Sequence, residues 1–315
     1  MDKEKANNLN KKEELHIACN IDSKYTQYCG VLMVSISENN QAYNIHYHIL
    51  GDSLTQKNVD SLKNIANYYN NDISIYNIEP DLFNGFPVSD QWPKVIYSRI
   101  ILPNLLPSHV GKVLYLDCDI VCRGSLKELI ETDMEGKTIC AVQDILANFP
   151  GMYNRLQYSP KYGYFNSGVI LFDIPKWKAH NFTHQCMSYL KNNHVIHPDQ
   201  DALNVVLHDQ WKNIDIRWNF ISNYHTRYIS MDERNMDLYK TDKYYPILVH
   251  FTGAKPWSNK CDSPYKKDYL EYQNKTEWHG QIPKHTIKQH IIHLLILSLD
   301  ALHIKKANKQ KCFNI

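Results

Sequence analysis

Two aspartates, Asp117 and Asp119, follow directly on the apolar run Val113-Leu114-Tyr115-Leu116 in the stretch KVLYLDCDIVC. Residues two apart in a strand point to the same face. Paired carboxylates repel each other unless a cation or a proton intervenes. Oxygen ligands suit a hard divalent ion such as Mg²⁺ or Mn²⁺. His250, at the end of another apolar run, offers an imidazole as third ligand, and imidazole tilts the expectation towards Mn²⁺. An isolated Asp-x-Asp is more often a solvated turn, and the apolar strand before this one is what favours a metal. Cys118 lies between the acids and faces the other way by alternation, into packing. Cys122 reads as a small hydrophobe, and no partner stands at zinc-binding spacing.

Two further stretches carry chemistry. HFTGAKPW, residues 250–257, brings Gly253, which permits close backbone approach, and Lys255, a point charge suited to a phosphate. Taken alone it also fits an ordinary turn with a solvated lysine. HPDQDALNVVL, residues 197–207, sets Asp199, Gln200 and Asp201 at the start of a helix. Acids there stabilise a helix through capping and the dipole, so Asp199 or Asp201 has a purely structural reading beside a chemical one.

Elements must bring these groups together. Apolar runs at 16–21, 45–50, 73–78, 113–116, 138–142, 169–172 and 247–251 read as strands. Helices fit 28–37, 125–131, 183–192 and 200–207, and a further helix begins after Ser53 as N-cap, with Leu54, Val59, Leu62, Ile65, Ala66 and Tyr69 at helical spacing. Strands alternating with helices predict an α/β architecture on a mostly parallel sheet. Ligands bind such sheets at the carboxyl ends of the strands. There stand Asn20, Asp22 and Tyr25, then Asp117 and Asp119, Asp144, Asn166-Ser167-Gly168, and His250, Gly253 and Lys255.

Composition sets the limits. The 315 residues are 43% hydrophobic and 22% charged, with a net charge of +2, which argues against a nucleic-acid binder. The polar start lacks an apolar signal segment, so the eight cysteines are expected as reduced thiols in a cytoplasmic protein. No apolar run reaches the length of a membrane span.

The segments NIDSKY, YSRI, YLDCDIV, FNSGVILFD, PDQDALN and HFTGAKPW occur in that order. As an ordered set they resemble glycosyltransferase family 8, most closely the bacterial lipopolysaccharide and lipooligosaccharide galactosyl- and glucosyltransferases. The resemblance runs from about residue 16 to about 257. It implies the GT-A nucleotide-diphospho-sugar transferase fold, with a Rossmann-like sheet. It also implies hexose transfer from a UDP-sugar to a glycan or glycolipid, with retention of configuration and with Mn²⁺ (Mg²⁺ as the alternative ion). By the same resemblance Asp117, Asp119 and His250 bind the metal. Asn20, Asp22 and Tyr25 serve the nucleotide, Tyr25 by stacking on uracil, and Gly253 and Lys255 meet the diphosphate. Arg99, Asn166, Ser167, Asp199 and Gln200 line the donor sugar, Asp199 and Gln200 act at the reacting centre, and Asp144 reaches towards the acceptor. Ser167 departs from the alanine of close relatives, and Ser23 and Lys24 from a more acidic loop. An amide is a poor nucleophile, so Gln200 points to front-face substitution rather than a covalent intermediate. A non-catalytic UDP-sugar binder and a UDP-sugar hydrolase are the competing functions.

Three segments are expected: a polar extension over 1–14, a catalytic domain over 15–275, and a basic amphipathic tail over 276–315. The tail combines an apolar stretch at 291–302 with Lys305, Lys306, Lys309 and Lys311. It reads either as a helix lying on the cytoplasmic face of the inner membrane or as one packed on the core.

Overall fold

The computed structural model describes residues 12–89, 93–222, 245–261 and 263–280. The tail from 281 onward lies outside them, and so does the expectation of a membrane-surface helix.

Ten strands form two sheets among the described residues: β1 Glu14–Asp22, β2 Asn44–Asp52, β3 Asp72–Asn77, β4 Lys112–Leu116, β5 Ile120–Cys122, β6 Ile139–Gln143, β7 Phe165–Asp173, β8 Trp211–Asn213, β9 Phe220–Ile221 and β10 Leu248–His250. The large sheet has the order β3-β2-β1-β4-β7-β6-β8, and the small one β5-β10-β9. In the large sheet β7 runs against both β4 and β6, while the other neighbours are parallel. The expected parallel character holds, with one reversed strand in the centre.

Alternation along each strand feeds two apolar layers. Ile17, Cys19, Ile21, Tyr47, Ile49, Leu114 and Leu116 face one layer; Ala18, Leu50, Val113, Tyr115, Ile170 and Phe172 face the other. The helix Thr26–Asn39 fills the first layer. It is buried along almost its whole length and packs on both β1 and β5, so it is sandwiched between the sheets. The helix Ser98–Leu105 covers the second layer and sends Arg99 inward. The helix Gln56–Tyr68 is capped by Thr55, not by Ser53 as expected. The Thr55 hydroxyl accepts from the Asn58 amide at 3.2 Å, and the Asn58 side chain accepts from the Thr55 amide at 3.0 Å. Ser53 takes a left-handed backbone (φ 54°) and belongs to the turn ahead of the cap.

This topology fixes where a ligand can bind. The chain leaves β1 for β2 and β3, then returns to β4 on the other side of β1. The crevice at that reversal opens at the carboxyl ends of β1 and β4. Asn20 to Tyr25 stand at one lip and Asp117 to Asp119 at the other.

Candidate active site

Asp117 and Asp119 lie in the short turn between β4 and β5, just past the regular strand. His250 ends β10, which pairs antiparallel with β5 and brings His250 opposite Ile120. One ligand atom from each of the three lies within 4.8 Å of the others. His250 Nε2 is 3.1 Å from Asp119 Oδ1 and 3.8 Å from Asp117 Oδ2. Its Nδ1 donates to Asn219 Oδ1 at 2.9 Å, the only role that oxygen allows, and this orients the ring with Nε2 facing the acids.

Gly168 makes this approach feasible. A Cβ built there would overlap the His250 ring and stand 2.8 Å from Asp117 Oδ2. The Gly168 carbonyl accepts from the Asp117 amide at 2.9 Å, so β7 holds the acid turn directly.

Arg99 ties the acids to the neighbouring segments. Its guanidinium is buried, 2.9 Å from Asp117 and 3.2 Å from Asp199, and donates to the Ser167 carbonyl at 2.8 Å and hydroxyl at 3.1 Å. Burial works against its charge, but Asp117 and Asp199 more than compensate and hold it protonated. Asp119 is buried beside Lys255 and His250, which outweigh its desolvation and press its carboxyl below the ordinary range. Lys255 forms an ion pair with Asp119 and donates to the Phe251 carbonyl at 3.1 Å.

A second network supports the floor. Ser167 donates from its backbone to Gln200 Oε1 at 3.0 Å and from its hydroxyl to Asp199 at 3.0 Å. Gln200 Nε2 donates to Asp144 at 3.3 Å, and Asn166 donates to the same oxygen at 2.7 Å. Asn219 donates to Asn166 at 2.8 Å, so hydrogen bonds run from His250 to Asp144 without a gap. Burial raises the Asp199 carboxyl despite the nearby Arg99.

The helix Pro198–Val206 resolves the two readings of its acids. Asp201 is wholly buried and structural. It accepts from the backbone of Ile196 and His197, from the Tyr164 hydroxyl, and from Arg155 at 2.7 and 2.9 Å. Asp199 and Gln200, on the first turn of the same helix, face the cleft.

The cleft has a volume of about 490 Å³. Every residue expected from the sequence lines it except Asp144. That carboxylate is buried beneath the floor and also accepts from the Leu146 amide at 2.8 Å. Its reach towards an acceptor is therefore indirect, through Asn166 and Gln200. Asp22 Oδ1 accepts from the amides of Lys24 and Tyr25 and shapes the turn that presents Tyr25. The Tyr25 ring is half-exposed and stands edge-on to Tyr28 and Trp257, which stack at 3.5 Å. Gly253 takes a left-handed backbone (φ 86°) in the loop that turns Lys255 back.

Sequence reading missed Asn219 and Tyr115. The Tyr115 hydroxyl donates to Asp117 at 2.7 Å and is also in contact with the Asn20 side chain. The spacing of two between Tyr115 and Asp117 carried that signal, whereas nothing around Asn219 did. The cysteines need a correction. Cys118 has thiol neighbours after all, because Cys19 of β1 and Cys29 of the buried helix bring their sulfurs within 4.8 Å of its own. All three are buried and none belongs to the carboxylate trio.

The donor set of two carboxylates and one oriented imidazole suits a hard divalent cation, and the described cleft lining carries four carboxylates, these two included, against Arg99 and Lys255 as fixed cations.

Comparisons with known proteins bear on the family and the fold. A family model described as Glycosyl transferase family 8 matches residues 16–261. A lipopolysaccharide 1,2-glucosyltransferase of Escherichia coli (strain K12) is 29% identical over 92% of this chain and 88% of its own. A lipopolysaccharide 1,3-galactosyltransferase of Salmonella typhimurium is 26% identical over 84% of this chain and 80% of its own. Among solved structures, the galactosyltransferase LgtC in complex with donor and acceptor sugar analogs superposes with a TM-score of 0.75, at 24% identity, over 88% of this chain and 99% of its own.

Proposed function

Since the chain belongs to glycosyltransferase family 8 and is a hexosyltransferase, we propose that it moves galactose or glucose from a UDP-sugar to a hydroxyl of a lipopolysaccharide or lipooligosaccharide-type acceptor, with retention and with Mn²⁺. The observation that carries this reading is the trio Asp117, Asp119 and His250 at the β1/β4 reversal, with Lys255 alongside. Asp117, Asp119 and His250 would hold the ion, which when bound offsets negative charge growing on a leaving diphosphate.

The chain's own groups do the rest. Lys255 leaves Asp119 for a phosphate oxygen and neutralises the departing UDP. Tyr25, set on Tyr28 and Trp257, stacks on uracil, while Asp22 and Asn20 border the base and ribose. Arg99, Asn166, Ser167, Asp199 and Gln200 line the hexose. Asp199 is paired with a buried guanidinium, and the Gln200 amide is engaged at both ends. Neither is a free nucleophile, which favours front-face substitution. The C1–phosphate oxygen bond breaks, the acceptor oxygen bonds C1 on the same face, and its proton passes to the leaving phosphate. Asp199 and the Gln200 carbonyl stabilise the oxocarbenium-like sugar. A lipid-linked acceptor would place the enzyme on the cytoplasmic membrane face.

A donor screen by UDP release tests the reading. UDP-galactose or UDP-glucose should support release that depends on a saccharide acceptor and yields the retained anomer by NMR. Release indifferent to acceptor would mark a hydrolase, and binding without turnover a sensor. A covalent glycosyl adduct on the wild-type protein would overturn the front-face step.

A further inference from the structure

A second set of metal-ligating side chains lies at the far end of the sheet from the cleft. In the β1/β2 pairing His16 stands opposite His46, and His48 follows two residues on. All three imidazoles therefore share one face. Ring centroids lie 5.7 Å apart for His16 and His46, 5.2 Å for His16 and His48, and 4.3 Å for the stacked His46 and His48. His16 Nδ1 is 3.0 Å from His48 Nε2, and one nitrogen from each ring lies within 4.8 Å of the others. His109, on the exposed loop ahead of β4, brings a fourth ring 6.2 Å from His16.

The remaining nitrogens are anchored from β3. His48 Nδ1 bonds the Tyr76 hydroxyl at 3.0 Å, and His46 Nε2 bonds the Ser74 hydroxyl at 2.8 Å. This leaves His46 Nδ1, and the His16 Nδ1–His48 Nε2 pair whose mutual hydrogen bond an ion would replace, as the ligand atoms. Metal-binding imidazoles are held in this way, with the second nitrogen fixing tautomer and ring orientation. Glu14 approaches His16 Nε2 at 3.7 Å from the rim. His48 is wholly buried and the His16 side chain nearly so, whereas His46 is partly exposed and His109 exposed, which gives an ion a route from solvent past His46 and His109.

We propose that His16, His46 and His48 form a binding site for one transition-metal ion of the zinc class, completed by His109 or water. Imidazole ligands select Zn²⁺, Ni²⁺ or Cu²⁺ over the hard ions that suit Asp117, Asp119 and His250. The ion would clamp β1 to β2 at the amino-terminal end of the strands, remote from transfer. Mere hydrogen-bonded packing of the three rings predicts no metal.

The test uses the full chain carrying Asp119→Asn, which disables the carboxylate site, stripped with chelator and titrated with Co²⁺. One equivalent should bind with tetrahedral visible absorption, resist excess Mg²⁺, and be displaced by Zn²⁺. Adding His46→Gln, or His16→Asn as a second variant should the first not fold, should weaken binding at least about a hundredfold. X-ray absorption of the zinc-loaded Asp119→Asn chain should read imidazole neighbours and no sulfur. Absence of binding, sulfur ligation (which would put the ion among Cys19, Cys29 and Cys118), or affinity unmoved by both histidine variants would overturn the proposal.

Discussion

Asp117 and Asp119 are joined by a residue far along the chain, His250, and the join depends on a residue with no side chain. Gly168 lets the His250 ring and Asp117 close up. Gly168→Ala is therefore expected to cut kcat/KM for transfer about a hundredfold through displacement of the trio, with the melting temperature nearly kept. Cys118→Ala should leave the divalent-ion dependence of transfer intact, measured by titrating Mn²⁺ in the release assay, because its sulfur faces Cys19 and Cys29 rather than the acids. At this scale much was legible: acids at the end of an apolar strand, a histidine at the end of another, and a lysine and glycine beside it. Asn219 was not, since its role exists only where β9 lies parallel to β10 and turns the amide to His250. Nor was the depth of Asp144, because a carboxylate after a strand looks the same in sequence whether it lines a cleft or supports its floor. The thiol cluster was hidden for a similar reason: Cys19, Cys29 and Cys118 come from three elements with no common spacing.

Among elements, the helix Pro198–Val206 shows how one short stretch divides its labour. Its first turn gives Asp199 and Gln200 to the cleft, while Asp201 anchors it to Arg155, Tyr164 and the preceding backbone. Burial alone would raise the Asp201 carboxyl, but the bonds from Arg155, Tyr164 and Ile196 outweigh it and hold it below its ordinary range. A lowered folded-state value means stability that is complete above about pH 4 and lost as pH falls through that lowered value. Asp201→Asn should cost about 3 kcal/mol at pH 7 and distinctly less at pH 3, read by urea unfolding. Thr55→Ala should cost about 1 kcal/mol through loss of the cap on Gln56–Tyr68, whereas Ser53→Ala should cost little. Strand positions were legible because apolar runs bounded by polar residues mark them. The direction of β7 was not, since an apolar run buried on both faces reads the same either way along a sheet. The cap was misplaced by two residues because Ser53 and Thr55 have equivalent hydroxyls, and only the Asn58 reply distinguishes them.

For the whole molecule, the order of strands decides where chemistry can occur. The reversal beside β1 opens one crevice, and segments separated by more than two hundred residues all deliver polar groups to it. Alternation of strands and helices predicted such a crevice, while the separate small sheet that carries His250 to it came only from the pairing of β5 with β10. No helix among the described residues is long and apolar enough to cross a membrane. Residues 281–315 remain a proposal for surface attachment: the full chain should co-sediment with anionic liposomes and a chain ending at Gly280 should not, equal partitioning of the two counting against it. Asp117, Asp119 and His250 are proposed as the centre of hexose transfer. This assignment is tested most directly by acceptor-dependent UDP release from UDP-hexose, comparing wild type with Asp119→Asn at matched circular dichroism and melting temperature. Release should require a divalent ion and fall at least about a hundredfold in the variant. A folded Asp119→Asn protein that transfers hexose at the wild-type rate would contradict the assignment.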